Sequence, residues 1–132
     1  MTKLEEHADI ARSVGIAMEA NDWATVLAAV SPQVVAHVPA VGDLVGIDAL
    51  ATFLLETAEK TTDGEHFELL DVLHGKQFAA LYFRITAKRA GRADLDNLTV
   101  HLARLDDGLI AEIWFHNFDG QAVADFWNDQ PG

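Results

Sequence analysis

Residues 104–127 read RLDDGLIAEIWFHNFDGQAVADFW, and the division of this stretch decides the fold. Asp106-Asp107-Gly108 separates two apolar runs, and the glycine can take the left-handed conformation of a three-residue hairpin loop. Ile110 to Phe118 is too rich in branched and aromatic side chains for a loop and reads as a long strand. Asp119 has the chemistry of a helix N-cap, and Ala122, Val123, Phe126 and Trp127 follow at helical spacing. The stretch is therefore the end of one strand, a tight turn, a second strand and a closing helix. Two large aromatics on that helix point to a lid folded over one end of a sheet.

Upstream, the chain supplies the rest of the sheet and its cover. From Leu4 to Ala20 the residues Ile10, Val14, Ala17 and Met18 share one helical face. Asp22 can cap a second short helix with Trp23, Val26, Leu27 and Val30, which Pro32 ends. Gln33 to Val38 reads as a strand stopped by Pro39, and Ala40 to Gly46 as a loop. Ile47 to Lys60 is a third helix with Ile47, Leu50, Phe53, Leu54 and Ala58 on its buried side. Thr61 to Gly64 turns the chain into strands at His66 to Leu73, Gln77 to Lys88 and Leu95 to Leu105. Helices followed by a run of antiparallel strands give an α+β plan with the helices on one face of a curved sheet.

The 132 residues, half of them hydrophobic, make one domain with room for a core. There is no cysteine, hence no disulfide framework and no thiol chemistry, which fits a reducing cytoplasm. The apolar runs are too short to cross a membrane, and MTKLEEHAD lacks the regions of a signal peptide. Nine basic against 21 acidic residues leave a net charge of −12, which disfavours nucleic acid and anionic lipid as partners. Lys88, Arg89 and Arg92 form the one basic cluster and read as a solvated hairpin tip.

Three stretches together resemble the SnoaL-like branch of the NTF2-like superfamily. They are VVAHVPAVGDLVGIDALATFL at 34–54, the acidic and apolar run from Asp63 to Leu73, and LDNLTVHLARLDDGLIAEIW at 95–114 followed by FDGQAVADFW. The resemblance implies a cone, in which a strongly bent antiparallel sheet wraps around helices and encloses a deep apolar pocket. It also implies a homodimer through the outer face of the sheet. The family includes isomerases, cyclases, dehydratases, epoxide hydrolases and non-catalytic domains, so the fold does not fix an activity.

Pairing Leu105 with Leu109 sets His101 opposite Ile113 and Asn97 opposite Asn117. One face then carries Asn97, Thr99, His101, Ala103, Ile113, Phe115 and Asn117, and suits a cavity. The other carries Leu98, Val100, Leu102, Arg104, Ile110, Glu112, Trp114 and His116, and suits a second subunit. Resemblance to ketosteroid isomerases places their general base at Val38, their oxyanion-donating tyrosine at Val14 and their acidic donor at His101. The carboxylate of limonene-epoxide-hydrolase relatives falls at Phe115. The apolar replacements argue against steroid-isomerase chemistry, which needs a base and an oxyanion donor.

His101 is the strongest chemical candidate, as acid, base or hydrogen-bond donor to a ligand. Its competing reading is a core histidine satisfied by backbone or water. Asn97 and Asn117 are candidates to orient a polar ligand group, against plain hydration at the sheet's end. The expected pocket lining is Val14 and Met18 from the first helix, Val38, Phe53 from the third, and Phe83, Ile113, Phe115 and Trp127. His37 and His116 fall on the outer parity, and Asp119 is a cap before it is a catalyst. No metal-ligand spacing, nucleotide loop or Ser-His-Asp arrangement is present, so neither metal nor cofactor is expected. The expectation is a pocket for a small hydrophobic molecule. It is either an enzyme of cofactor-free acid–base chemistry (isomerisation, dehydration, cyclisation or hydrolysis) or a non-catalytic carrier or sensor. A third reading is a partner protein acting through its sheet.

Overall fold

A computed structural model describes residues 2–128. Helix α1 (Lys3–Glu19) starts where the Thr2 hydroxyl accepts from the Glu5 amide, and α2 (Trp23–Ala28) where Asp22 accepts from the Thr25 amide. Strand β1 (Val30–Val38) and the short β2 (Gly42–Val45) come before α3 (Ile47–Lys60). Strands β3 (His66–His74), β4 (Phe78–Ala87), β5 (Leu95–Asp106) and β6 (Leu109–Asn117) then lead to α4 (Gly120–Trp127). The six strands form one sheet in the order β2-β1-β6-β5-β4-β3, with the core between its concave face and the helices.

Four expectations about this framework are corrected. The sheet is mixed, because β1 lies parallel to β6 while the other neighbours are antiparallel. Residues 42–45 form the edge strand β2 where a loop was expected. Val30 and Pro32 belong to β1 and not to the second helix, which ends at Ala28. The register with β6 shifts between Val30 and Val35, so Pro32 sits where regular pairing is interrupted and no ladder amide is demanded of it. The β5–β6 turn is the two-residue loop Asp107-Gly108, with φ of 49° and 76°. Positive φ at both positions matches the right-handed twist of the flanking strands.

That turn moves the register by one residue, a bulge just beyond it moves it by one more, and the two together keep the parity further along the strands. His101 faces Phe115, Ala103 faces Ile113 and Thr99 faces Asn117. A bulge then leaves Ala111 unpaired, with Arg104 opposite Glu112 and Leu105 opposite Ile110. The extra residue turns Ile110 to the concave side, where it is buried, although simple alternation had placed it outside. A second bulge at Leu70 bends β3, and the Leu69 amide there donates to a Glu19 carboxylate oxygen of α1 at 2.8 Å. Gly15 lets α1 sit close on this strand: a Cβ there would come within 2.9 Å of the Leu69 side chain.

The basic cluster is also not a solvated tip. Arg89 and Arg92 both donate to the Phe126 carbonyl, at 2.9 and 2.7 Å, and Arg92 donates to the Asn128 carbonyl at 2.6 Å. These guanidinium groups hold the carbonyl-rich end of α4 from the β4–β5 hairpin. Phe126 is buried and meets Trp127 edge to face at 4.8 Å. Truncation after Asp125 should therefore remove burial worth about 1.5–3 kcal/mol for Phe126 alone, together with the carbonyl that both arginines bond. Thermal denaturation is expected to show a loss of several degrees; an unchanged melting curve would mean that α4 does not stabilise the domain.

Candidate functional site

The concave face of the sheet and the helices enclose a cavity of about 680 Å³. Val14 and Met18 of α1, Trp23 of α2 and Phe53 and Leu54 of α3 form one side. Phe67, Leu81, Ile113 and Phe115 form the sheet side, with Val38 at the end of β1. Val123, Ala124 and Trp127 of α4 complete the wall as a lid. Seven of the eight expected lining residues are therefore on the cavity surface. Phe83 is the exception. It has the concave parity, but it is fully buried between Phe67 (5.7 Å between centroids) and His101 (5.4 Å), beneath the lining.

His101 is on the lining at 8% exposure, with its ring edge to face with Phe115 at 4.4 Å. No hydrogen bond engages its ring among the described residues. Burial in apolar surroundings lowers its pKa to about 3. The imidazole is thus neutral at physiological pH, with one nitrogen to donate and one to accept. The sequence had allowed a group that titrates near neutrality. The cavity makes it instead a fixed hydrogen-bonding group and a weak base.

Asn97 and Asn117 also reach the lining, already joined. The Asn97 side-chain NH2 donates to the Asn117 carbonyl oxygen at 3.2 Å, and the Asn97 oxygen accepts from the Asp119 amide at 3.1 Å. Both therefore fasten β5 and β6 to the start of α4. Asp119 is the expected cap, accepting from the Ala122 amide at 3.0 Å.

Sequence reasoning missed Glu65. It was passed over beside the turn after α3, yet its carboxyl reaches the cavity lining with Thr57 and Lys60. Desolvation raises its pKa to about 7, and the Thr57 hydroxyl pulls it part of the way back. The available signal was parity, since Glu65 stands two residues before the inward-facing Phe67. His37 and His116 are on the convex face. The His37 ring stacks on Trp114 and bonds Asp43 at 2.7 Å and Glu112 at 2.6 Å. Those two carboxylates, Glu112 foremost, raise the His37 pKa. Among the described residues no group of three or more His, Cys, Asp or Glu is placed to hold a metal ion.

The chain belongs to the SnoaL-like domain family, whose model matches residues 10–113. Its fold is NTF2-like. Bal32a, from a soil-derived mobile gene cassette, shares 22% identity at a TM-score of 0.87, covering 96% of this chain and all of that one. A protein of unknown function with a cystatin-like fold from Xanthomonas campestris shares 24% identity at 0.84, covering 97% and 99%. TerC, co-crystallised with polyporic acid, shares 13% at 0.77, covering 92% and 97%. At these identities the likeness is one of fold. No curated protein sequence matches the chain.

Proposed function

We propose that this SnoaL-like domain binds a small, largely apolar organic molecule in its cavity, with His101 as the main polar group that meets it. The supporting observation is a buried imidazole facing a roomy apolar cavity, with no hydrogen-bond partner for its ring nitrogens among the described residues. Such a group loses hydration on folding and regains hydrogen bonds from a bound carbonyl or hydroxyl. His101 on the cavity wall is also the group that an enzyme of cofactor-free acid–base chemistry (isomerisation, dehydration, cyclisation or hydrolysis) would use. The low basicity of His101 supports the rival carrier reading, in which it only orients the ligand. In an enzyme its part is to polarise a carbonyl by donating to it. A homodimer through the convex face completes the proposal, and the cysteine-free chain fits a cytoplasmic setting.

Matched ligands test this reading. Tetralone and tetralin share a skeleton and differ by one carbonyl. Wild type is expected to bind the ketone about tenfold more tightly, the value of one good hydrogen bond in a dry site. His101→Phe keeps the bulk of the ring and removes both polar functions, so it should bind the two equally while staying folded. Failure to bind either compound, or an unchanged ratio in the variant, overturns the assignment.

A further inference from the structure

We infer that Glu65 is a second ligand-binding group of this cavity, and that it seats the ammonium end of an apolar molecule carrying a basic amine. The inference rests on the pocket reading above and adds a charge requirement to it. Glu65 occupies the corner between α3 and β3. Register carries Phe67 across to Ile85 and Ile85 to Asn97, so Glu65 stands beyond Asn97, at the end of the cavity away from His101. Along the strands the separation is about six residues, or roughly 20 Å before curvature shortens it. The cavity thus offers a neutral imidazole in one region and a carboxyl in another, joined by apolar wall.

Three observations favour a cation at the carboxyl end. The charged or titratable groups on the lining are Glu65, Lys60, Asp125 and His101, and no cation is among the groups that shift the Glu65 carboxyl. An ammonium placed there would supply the missing counter-charge. The lining also includes the aromatic residues Trp23 and Phe67, and aromatic rings attract organic cations. The chain carries a net charge of −12, which raises the local concentration of cations and repels anions.

Thr57 stands beside Glu65 and draws its carboxyl part of the way toward the charged form. Its hydroxyl donates to the Leu54 carbonyl at 2.9 Å, and it has a single proton to give. With the proton turned to Glu65, the hydroxyl supports the carboxylate that an ammonium requires. The carboxyl is near half-ionised at neutrality without a ligand, so a bound ammonium draws it fully to the charged form.

Three dansyl probes test the inference by fluorescence titration: dansylcadaverine ends in an ammonium, dansylamide is neutral and dansylglycine ends in a carboxylate. At pH 8 wild type is expected to bind the cation roughly tenfold more tightly than the neutral probe, with the anion weakest. The ratio should shrink toward one at pH 5.5, because Glu65 becomes protonated while the amine, with a pKa of about 10, stays charged. His101 is neutral at both pH values and adds nothing to the change. Glu65→Gln should bring the ratio near one at both. The pH arm uses wild type alone and does not depend on the variant's folding. A cation bound no better than the neutral probe at pH 8 overturns the inference. So does a preference that ignores pH or survives Glu65→Gln. Binding of dansylamide without cation preference leaves the pocket reading standing; failure of all three probes to bind overturns both.

Discussion

Trp114→Glu is expected to turn a dimer into a monomer. The convex face of the sheet exposes Leu73 (57%), Phe78 (42%) and Leu102 (36%) around the partly covered Trp114. Phe78 and Trp114 lie 6.3 Å apart between ring centroids, and Tyr82 stacks on Phe118 at 5.7 Å. A contiguous apolar surface of this kind is unusual on a monomer and fits a self-complementary two-fold interface. Polar groups stand at its side, where His37 joins Asp43 and Glu112, and Arg104 donates to Glu112 at 3.3 Å. A glutamate at 114 would be solvated in a single subunit. In a dimer it would be buried once per subunit, beside Glu112 and facing apolar side chains. Leaving one such charge unpaired costs roughly 3 kcal/mol or more, which weakens association by at least about a hundredfold. Light scattering at micromolar concentration should report a dimer for wild type and a monomer for the variant. A monomeric wild type, or a variant that stays dimeric with its fold intact, sinks the interface.

The side of the sheet on which His101 lies was readable because β5 alternates without interruption. Asn97, Thr99, His101, Ala103 and Leu105 are all buried, and no bulge intervenes within that run. Exact pairing was not readable. Whether Asp106 belongs to the turn or to the strand depends on backbone dihedrals, and the two readings differ by one residue in register; the bulge at Ala111 adds another and restores the parity beyond it. Ile110 shows what parity cannot carry across a bulge, since one unpaired residue reverses its face. The β2 edge was hidden because Gly42 to Val45 is too short to show alternation and has glycine at or beside each end. Arg89 and Arg92 looked like a hairpin tip because both hydrogen-bond a backbone carbonyl, which leaves no trace in side-chain pattern. Glu65 escaped for a related reason. A lone carboxylate beside a turn reads as solvated surface, and only the folded chain shows it on a cavity wall.

The buried His101 and the half-buried Glu65 make the pH dependence of stability separable. Burial lowers the pKa of His101 from 6.5 to about 3 and raises that of Glu65 from 4.5 to about 7. Between pH 6.5 and 3 the unfolded chain binds a proton at His101 that the folded chain refuses, so this residue makes the fold less stable as pH falls. Between pH 7 and 4.5 the folded chain holds a proton at Glu65 that the unfolded chain has released, so that residue makes the fold more stable as pH falls. Each slope reaches at most about 1.4 kcal/mol per pH unit, and over pH 6.5 to 4.5 the two oppose each other. Wild type should therefore show a flat profile there relative to its variants. Glu65→Gln removes the offset and should lose stability more steeply toward pH 4.5. At pH 8 it should be more stable than wild type by on the order of 2 kcal/mol, because it no longer has to ionise a half-buried acid of raised pKa. His101→Phe should behave in the opposite sense and gain on wild type as the solution is acidified. The remaining carboxylates contribute equally to all three proteins and cancel in the differences. Urea denaturation at half-unit steps from pH 4.5 to 8 measures these differences directly. Parallel profiles for the three proteins would show that neither group is held away from its ordinary protonation state, and would remove the electrostatic basis for placing His101 and Glu65 on a dry cavity wall.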